Sequence, residues 1–314
     1  MTTGIAEKTP TVVHAPAKLN LFLSVLGRRA DGYHDIETVM VAVDLCDTLR
    51  FRVLEEPVIR LRVHRAAPRT VGRMMGWERI PCDENNLVWR AARLLQSHAG
   101  TRRGVAIELL KRIPPQSGLG GGSSDAAAAL LTLNRLWNLN LPQQRLRELA
   151  AALGSDVPFF TGQYTAAVCR GRGQHVEPIA GPLGLYFVIA RPPAGLSTAD
   201  VYRGCDTTPG KRVDFHWLQC LRRAPLRWLA RSTWNGLLAS ARRLSVEVEQ
   251  TLASLRRAGG PVVGMSGSGT ACFACCRHLD EARALAARLA AQRQLFVAVA
   301  RTCCAGSSVR RSVR

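Results

Sequence analysis

Short apolar runs, separated by glycine, aspartate or proline, dominate the first third of the chain. They are rich in valine, isoleucine, leucine and phenylalanine, which is typical of strands. Strands are therefore predicted over 20–26, 36–45, 47–53, 58–63 and 104–110. The segment 66–84 lacks this pattern and contains several prolines and glycines, so we interpret it as a surface insertion.

Apolar residues at helical spacing follow Asn86, which is suited to cap a helix over 87–98 that ends at Gly100. Two further helices are predicted over 123–136, which is mainly alanine and leucine, and from Pro142 to Gly154. The second half of the chain alternates strands and helices. Strands are predicted over 185–190 and 295–300, helices across 218–257 and over 280–292, and a glycine loop within 262–275. At 314 residues, two lobes or one large α/β domain are both compatible with this pattern.

The termini and the cysteines indicate a cellular compartment. No 18 consecutive residues are apolar, and the first ten residues lack the apolar run of a signal peptide. We therefore expect a soluble cytoplasmic protein whose ten cysteines stay reduced. The segment 271–276 contains a C-x-x-C spacing, but its apolar pattern favours a buried strand over a zinc site. The polar residues 306–314 are expected to form a disordered tail.

The formal charge of +20 comes almost entirely from arginine, because only four residues are lysine. The arginines occur singly or in pairs, as at Arg28-Arg29, rather than in one long basic block. This distribution favours a solvated basic surface, which can also attract polyanionic substrates such as nucleotides. A specific nucleic-acid surface is the less favoured interpretation.

The strongest chemical signal is a glycine-rich loop, Gly-Leu-Gly-Gly-Gly-Ser-Ser from Gly118 to Ser124, between a predicted strand and a predicted helix. Glycines leave the backbone amides at a helix N-terminus open to an anion such as phosphate. The hydroxyls of Ser123 and Ser124 can contact phosphate or a bound Mg²⁺. The glycines alone are equally compatible with an ordinary tight turn.

Two commoner nucleotide motifs are excluded by spacing. Gly210-Lys211 is followed by Arg212 instead of serine or threonine, so it is not a P-loop. Ser123 stands where a G-x-G-x-x-G motif beginning at Gly118 needs its last glycine, so the dinucleotide fingerprint fails as well.

Three further segments carry candidate chemistry. A second glycine loop over 264–270 can close on the same ligand as the first one. Lys18 stands among apolar residues and needs an anionic partner, while Asp156 stands in an apolar stretch after a predicted helix. A salt bridge and a catalytic pair both remain open for these two residues. The turn 31–34 offers Tyr33 and His34, which can stack on and hydrogen-bond to a base or form an ordinary hairpin turn.

In this order, the segments resemble the GHMP kinase superfamily from about residue 15 to 273. The resemblance rests on four segments: Pro-Ala-Lys-Leu-Asn-Leu at 16–21, Arg-Ala-Asp-Gly-Tyr-His at 29–34, the glycine loop at 118–126 and Gly-Ser-Asp-Val-Pro at 154–158. It implies a two-lobed α+β fold, with a first lobe over 1–165, a second lobe over 166–305 and the active site in the cleft between them.

Within the superfamily, the segment 29–34 is similar to that of kinases for a cytidine-diphosphate alcohol of the non-mevalonate isoprenoid precursor pathway. The resemblance implies transfer of the γ-phosphoryl group of ATP, with Mg²⁺, to the 2-hydroxyl of a cytidine-diphosphate methylerythritol. We also expect a small-molecule substrate, no nucleic-acid or membrane partner, and a monomer or weak homodimer.

The resemblance assigns roles residue by residue. It implies that Lys18 and Asp156 form the catalytic pair. The implied ATP-binding residues are Asn86, Lys111, Pro114, Pro115, Gln116, Ser117, Gly118, Leu119, Gly120, Gly121, Gly122, Ser123 and Ser124, with Ser124 also the metal ligand. The implied substrate-binding residues are Asn20, Tyr33, His34, Thr198, Tyr202, Gly267 and Ser268.

The sequence departs from the family pattern at Gln116-Ser117, where smaller residues are usual, and at 235–238, where an Asn-Asp-x-Glu pattern is usual. Two alternatives remain. One is a GHMP kinase for a different alcohol, against which the Tyr33-His34 turn argues. The other is an RNA-binding protein, although aromatic residues make up only 6% of the chain and form no recognition stripe.

Overall fold

The structure is a computed structural model. It describes residues 9–66, 77, 80–162, 164–180, 183–205, 211–213, 221, 226–292, 294–304 and 308–310. None of the helices in these ranges is long and apolar enough to cross a membrane.

The first lobe is built on a mixed eight-stranded sheet. Its strands are β1 (Thr11–Arg28), β2 (His34–Leu54), β3 (Ile59–Arg65), β4 (Gly104–Lys111), β5 (Ala166–Gly171), β6 (His175–Ile179), β8 (Trp234–Asn235) and β12 (Ser308–Arg310). The main path runs β12-β1-β2-β4-β3, while β5 and β6 extend from β2 and β8 pairs with β1. The β3–β4 and β1–β8 pairs are parallel, and the others are antiparallel.

The described helices of this lobe are α1 (Leu87–Ala99), α2 (Gly121–Leu136), α3 (Gln143–Leu153) and α4 (Val157–Phe160). Helix α1 begins where predicted, because the Asn86 carboxamide accepts a 2.9 Å hydrogen bond from the Val88 amide. It ends at Gly100, which has the left-handed φ of 61° that glycine adopts without strain. Helix α2 is lined by buried alanines, which let it approach β1 closely.

The second lobe is built on a four-stranded antiparallel sheet in the order β11-β7-β10-β9. Its strands are β7 (Tyr186–Arg191), β9 (Val262–Met265), β10 (Cys272–Cys276) and β11 (Phe296–Arg301). Its described helices are α5 (Thr198–Arg203), α6 (Leu226–Ser232), α7 (Leu238–Leu244), α8 (Val246–Arg257) and α9 (Leu279–Ala290). Every residue of β10 is buried, as the apolar pattern of 271–276 predicted.

The two lobes share one apolar cluster, in which Leu19 and Val39 of the first sheet join Phe187 and Phe273 of the second. This shared core explains the unbroken run of buried residues in β1, since both faces of the strand are covered. The predicted two-lobed α+β fold is confirmed.

Three predictions about boundaries need correction. The predicted strands 36–45 and 47–53 form the single strand β2, because Asp47 is fully buried and accepts hydrogen bonds from the backbone of Arg112 and Ile113 instead of breaking the strand. The first sheet also takes in β5 and β6, which lie past the predicted boundary at 165, because β5 pairs with β2 and β6 pairs with β5.

The predicted disordered tail is wrong for Ser308–Arg310, which form β12 and pair with β1. The other residues of 306–314 lie outside the described residues, as does most of the predicted insertion at 66–84.

Candidate active site

A cleft of about 1210 Å³ is lined by residues of both lobes. This volume exceeds the usual range of about 300–1,000 Å³ for one ligand and is compatible with two substrates bound together. Nearly all the predicted site residues line it: Lys18, Asn20, Tyr33, His34, Asn86, Lys111, Pro114, Pro115, Gln116, Ser117, Gly118, Gly120, Gly121, Gly122, Ser123, Asp156, Thr198, Tyr202, Gly267 and Ser268. The two exceptions are Leu119, which is fully buried, and Ser124, which is 1% exposed behind the cleft surface.

The first glycine loop leads directly into α2. Gly120 has a left-handed φ of 68° immediately before the helix, and its carbonyl accepts the first helical hydrogen bond, from Ser124 N at 2.9 Å. The helix therefore begins at Gly121, two residues earlier than predicted. Its free N-terminal amides belong to loop residues that line the cleft, which is the arrangement that binds an anion.

The two glycine loops are joined to each other and to β1. The Ser266 hydroxyl donates to Gly118 O at 2.9 Å, and Lys18 N donates to Leu119 O at 2.9 Å. Gly118 makes the closest approach, because a Cβ atom there would lie 2.1 Å from the Ser266 carbonyl oxygen. The loops therefore form one wall of the cleft.

Lys18 and Asp156 both line the cleft and lie next to each other. The Lys18 ammonium lies 3.5 Å from the Asp156 carboxylate, and it donates a 2.6 Å hydrogen bond to the Asn20 carboxamide. Asn20 in turn donates to the Thr38 hydroxyl at 2.7 Å. Lys18 is therefore held in place from two sides, while Asp156 precedes α4 and is partly open to the cleft.

Lys111 is buried between two acidic residues, which the sequence did not predict. Its buried ammonium is paired with both Asp47 and Asp125. Burial by itself lowers the pKa of Lys111, but the charges of Asp125 and Asp47 raise it above the usual lysine value. Burial raises the pKa of Asp125 to about 8, although the Lys111 ammonium acts in the opposite direction. Lys111 therefore anchors α2 to β2 in addition to lining the cleft.

A second group of cleft residues is aromatic. The rings of His34 and Tyr202 have centroids 5.2 Å apart, and the Arg172 guanidinium lies 4.5 Å from the centre of the half-exposed Tyr33 ring. Burial lowers the pKa of His34, and the nearby Arg28 charge adds to this effect, so the imidazole is neutral at pH 7. A neutral imidazole can both donate to and accept from a base.

The α5 helix brings Thr198 to the second glycine loop, where its hydroxyl lies 3.0 Å from the Ser268 hydroxyl. Both residues line the cleft, and Tyr202 follows one helical turn later. The predicted substrate-binding residues thus converge from β1, the turn 31–34, α5 and the second glycine loop.

The comparisons with known proteins agree with this geometry. The chain matches the model of the GHMP kinases N terminal domain over residues 86–163 and that of the GHMP kinases C terminal domain over residues 219–294. A curated relative from Exiguobacterium sibiricum, 4-diphosphocytidyl-2-C-methyl-D-erythritol kinase, is 38% identical over 275 residues, which are 87% of this chain and 92% of the relative. The chain belongs to the 4-diphosphocytidyl-2-C-methyl-D-erythritol kinase family.

Solved structures agree with membership in this kinase family. A crystal structure of 4-(cytidine 5'-diphospho)-2C-methyl-D-erythritol kinase is 36% identical and superimposes with a TM-score of 0.71, covering 92% of this chain and 99% of that one. The homoserine kinase of Cytophaga hutchinsonii gives a TM-score of 0.72 at only 18% identity, covering 97% of this chain and 98% of that one. The latter likeness concerns the fold alone.

Sequence reasoning gave no role in this kinase to Asn235, which lies in the segment that departs from the family pattern. Its carboxamide donates to the carbonyls of Met265 and Gly267, both at 2.9 Å, and accepts a hydrogen bond from Leu237 N. Asn235 therefore holds the second glycine loop against β1. The signal was a polar residue between apolar ones, but its partners lie 30 and 32 residues away and are invisible to local patterns.

Proposed function

We propose that this protein transfers the γ-phosphoryl group of ATP to the 2-hydroxyl of 4-(cytidine 5'-diphospho)-2-C-methyl-D-erythritol, a step of the non-mevalonate isoprenoid precursor pathway. The observation that carries the proposal is a single cleft in which a glycine loop at a helix N-terminus, a lysine–aspartate pair and the neighbouring His34 and Tyr202 rings lie together. Each group suits one part of the reaction: the phosphates, the transfer step and the cytosine.

The glycine loop is proposed to hold the ATP phosphates with its backbone amides. Phosphoryl transfer needs little covalent chemistry from the protein, so alignment and charge neutralisation supply most of the rate enhancement. Asn86 and Lys111 are proposed to lie near the adenosine. Their own hydrogen bonds fix them, since Asn86 also donates to Pro81 O at 2.8 Å and Lys111 is held by two carboxylates.

The cytidine half of the acceptor is proposed to bind between Tyr33 and Tyr202. Their rings offer faces on which a pyrimidine can stack, and His34 offers hydrogen bonds to the base. Asn20, Thr198, Gly267 and Ser268 are proposed to face the sugar-alcohol part. A ring on each side and a neutral imidazole give selectivity for a flat, uncharged base.

Lys18 and Asp156 are proposed to carry out the transfer step. Asp156 accepts the proton of the attacking 2-hydroxyl as the new phosphorus–oxygen bond forms and the bond to the ADP leaving group breaks. The Lys18 ammonium stabilises the ionised carboxylate and the negative charge of the transferred group. Because Lys18 is only 3% exposed, little water screens these interactions.

The residues present also fit Mg²⁺, the usual companion of ATP. The Ser124 hydroxyl is buried without a hydrogen-bond partner among the described residues, and Ser123 places a second hydroxyl at the cleft. Mg²⁺ prefers oxygen ligands and takes most of them from phosphates and water, so one or two hydroxyls are sufficient. We propose that Ser124, just behind the cleft surface, would hold the ion together with Ser123, which lines the cleft, and that the ion would supply positive charge against the phosphates. The cytoplasmic location and the monomeric or weakly dimeric state remain predictions.

The test is an ADP-release assay with purified protein, ATP, Mg²⁺ and the cytidine-diphosphate alcohol, repeated with each component omitted. ADP release that requires all of them supports the proposal. Homoserine and mevalonate serve as alternative acceptors, because kinases for other alcohols share this fold. Faster release with either of them would refute the proposed substrate.

A further inference from the structure

Arg191 is a buried cation beside the active site. The proposed mechanism gives it no role. It is the last residue of β7 and is only 2% exposed. Burial lowers the pKa of Arg191 to about 10, against the opposing charge of Glu247, so the side chain is still a cation at pH 7. A buried charge is costly unless hydrogen bonds compensate it, so the partners of this guanidinium need an explanation.

The guanidinium bridges two backbone carbonyls from different parts of the chain. Its Nη2 donates to Pro115 O at 3.1 Å, in the entry to the first glycine loop, and its Nη1 donates to Pro193 O at 2.8 Å. Both carbonyls belong to Pro-Pro pairs, 114–115 and 192–193. Proline has no backbone N–H, so the only backbone hydrogen bonds that such a pair can make are those its carbonyls accept.

Further contacts hold the entry to the first glycine loop, residues 114–117. The Ser117 hydroxyl donates to the other carbonyl of the first pair, Pro114 O, at 2.6 Å. A Cβ atom on Gly195 would lie 2.9 Å from the Gln116 carboxamide oxygen and 3.3 Å from Arg191 Nη2. The segment after β7 is therefore packed directly against the loop entry, with the guanidinium between them.

We propose that Arg191 is a positioning residue for ATP, which fixes the Pro115 carbonyl from the second lobe and so sets the path of the glycine-loop amides. The inference rests on the proposed function only in naming ATP as the ligand of that loop. Arginine suits this role better than lysine, because its planar fork reaches two acceptors at a fixed spacing whereas an ammonium is a point charge.

The test compares Arg191→Met and Arg191→Lys with the wild type. An exposed arginine on α9, replaced in Arg283→Met, serves as the matched control, since its guanidinium lies 3.8 Å from the Asp280 carboxylate and both side chains are exposed. The measurements are the KM values for both substrates, kcat, the unfolding temperature, and calorimetric binding of a non-hydrolysable ATP analogue with Mg²⁺ in the absence of acceptor.

Arg191→Met should raise the KM for ATP and the Kd for the analogue by about tenfold, because two carbonyls lose their donor. Arg191→Lys should restore part of the affinity, and kcat and the KM for the cytidine substrate should change by less than about twofold in both variants. Wild-type analogue affinity in a folded variant would overturn the proposal. So would a loss confined to kcat with a lowered unfolding temperature, which is the mark of a purely structural arginine.

If Arg191→Met does not fold, Arg191→Lys decides by the same criteria. The analogue measurement needs no acceptor, so it remains valid even if the wild type fails to phosphorylate the cytidine-diphosphate alcohol. Failure of the proposed function is thus distinguishable from failure of the role of Arg191.

Discussion

The Lys18 ammonium lies 3.5 Å from the Asp156 carboxylate, and the two side chains differ sharply in exposure, at 3% and 31%. The buried partner is the cation, and it is held from the other side by Asn20. The exposed partner is the carboxylate, which lines the cleft. This asymmetry suits a fixed positive charge beside a base that must meet its substrate.

The base role predicts a specific loss in Asp156→Asn, which keeps the size of the side chain and removes the proton acceptor. The single-turnover rate should fall by about 10²- to 10⁴-fold with substrate affinities nearly unchanged. Lys18→Met tests the alternative in which the phosphate itself takes the proton. A near-wild-type rate in Asp156→Asn together with a large loss in Lys18→Met would leave Lys18 as an electrostatic stabiliser and reject the base.

Backbone approach to ATP is tested best at Gly122. A Cβ atom there would meet only Leu87 Cδ1, at 3.7 Å, so the fold tolerates it while the cleft is narrowed. Gly122→Ala should raise the KM for ATP about tenfold without lowering the unfolding temperature, because alanine favours the first helical turn more than glycine does.

Two other glycine variants can be compared with Gly122→Ala. Gly27→Ala is the matched control, since its Cβ atom would have no neighbour within 4 Å. Gly121→Val is less informative, because a Cβ atom there would lie 2.9 Å from Ile113 and disturb the core as well. An unchanged KM for ATP in a folded Gly122→Ala protein would contradict the proposed phosphate loop.

Cytosine recognition predicts that Tyr33→Ala weakens binding of the cytidine substrate by about 1–3 kcal/mol, the usual range for a base stacked on an aromatic ring. Tyr33→Phe keeps the ring and should bind normally, and the affinity for ATP should be unaffected in both variants. Titration calorimetry with each substrate measures these affinities. A loss that falls on ATP instead would mean that the two subsites are interchanged.

The Lys111 cluster predicts an effect on stability. Lys111→Met removes the buried cation that contacts both Asp47 and Asp125, so the free energy of unfolding should fall by about 3–5 kcal/mol. Asp125→Asn keeps the shape and leaves one cation with one anion, so the change should stay below about 1 kcal/mol. Denaturant titrations measure the free energy of unfolding of both variants. Equal losses would contradict the proposal that Lys111 is the cation on which this buried cluster depends.

Local patterns predicted most of the elements that position the site. Helix α1 follows from the Asn86 cap, and the start of α2 was misplaced by only two residues because glycine was not expected inside the helix. The chemistry of single segments pointed to the glycine loop, Lys18, Asp156 and the Tyr33-His34 turn, but their roles came from the family resemblance, since nothing in the spacing of Lys18 and Asp156 alone distinguishes a catalytic pair from a salt bridge.

The features that could not be predicted depend on partners distant in sequence. Asp47 resembled a strand break until its contacts with Lys111 and the backbone after β4 were known. Asn235 and Arg191 act on carbonyl oxygens of other segments, and any residue has a carbonyl. A pattern of side chains therefore carries no trace of such contacts.

The central claim is most directly tested by the proton-coupled ³¹P NMR spectrum of the product made from ATP and the cytidine-diphosphate alcohol. The 2-carbon is tertiary and carries no hydrogen, so a phosphate monoester on its oxygen has no proton three bonds from phosphorus. The account predicts one new monoester signal that remains a singlet beside the diphosphate signals of the substrate. A new signal split into a doublet or triplet would place the phosphate on a different hydroxyl and contradict the account, as would the absence of any new signal.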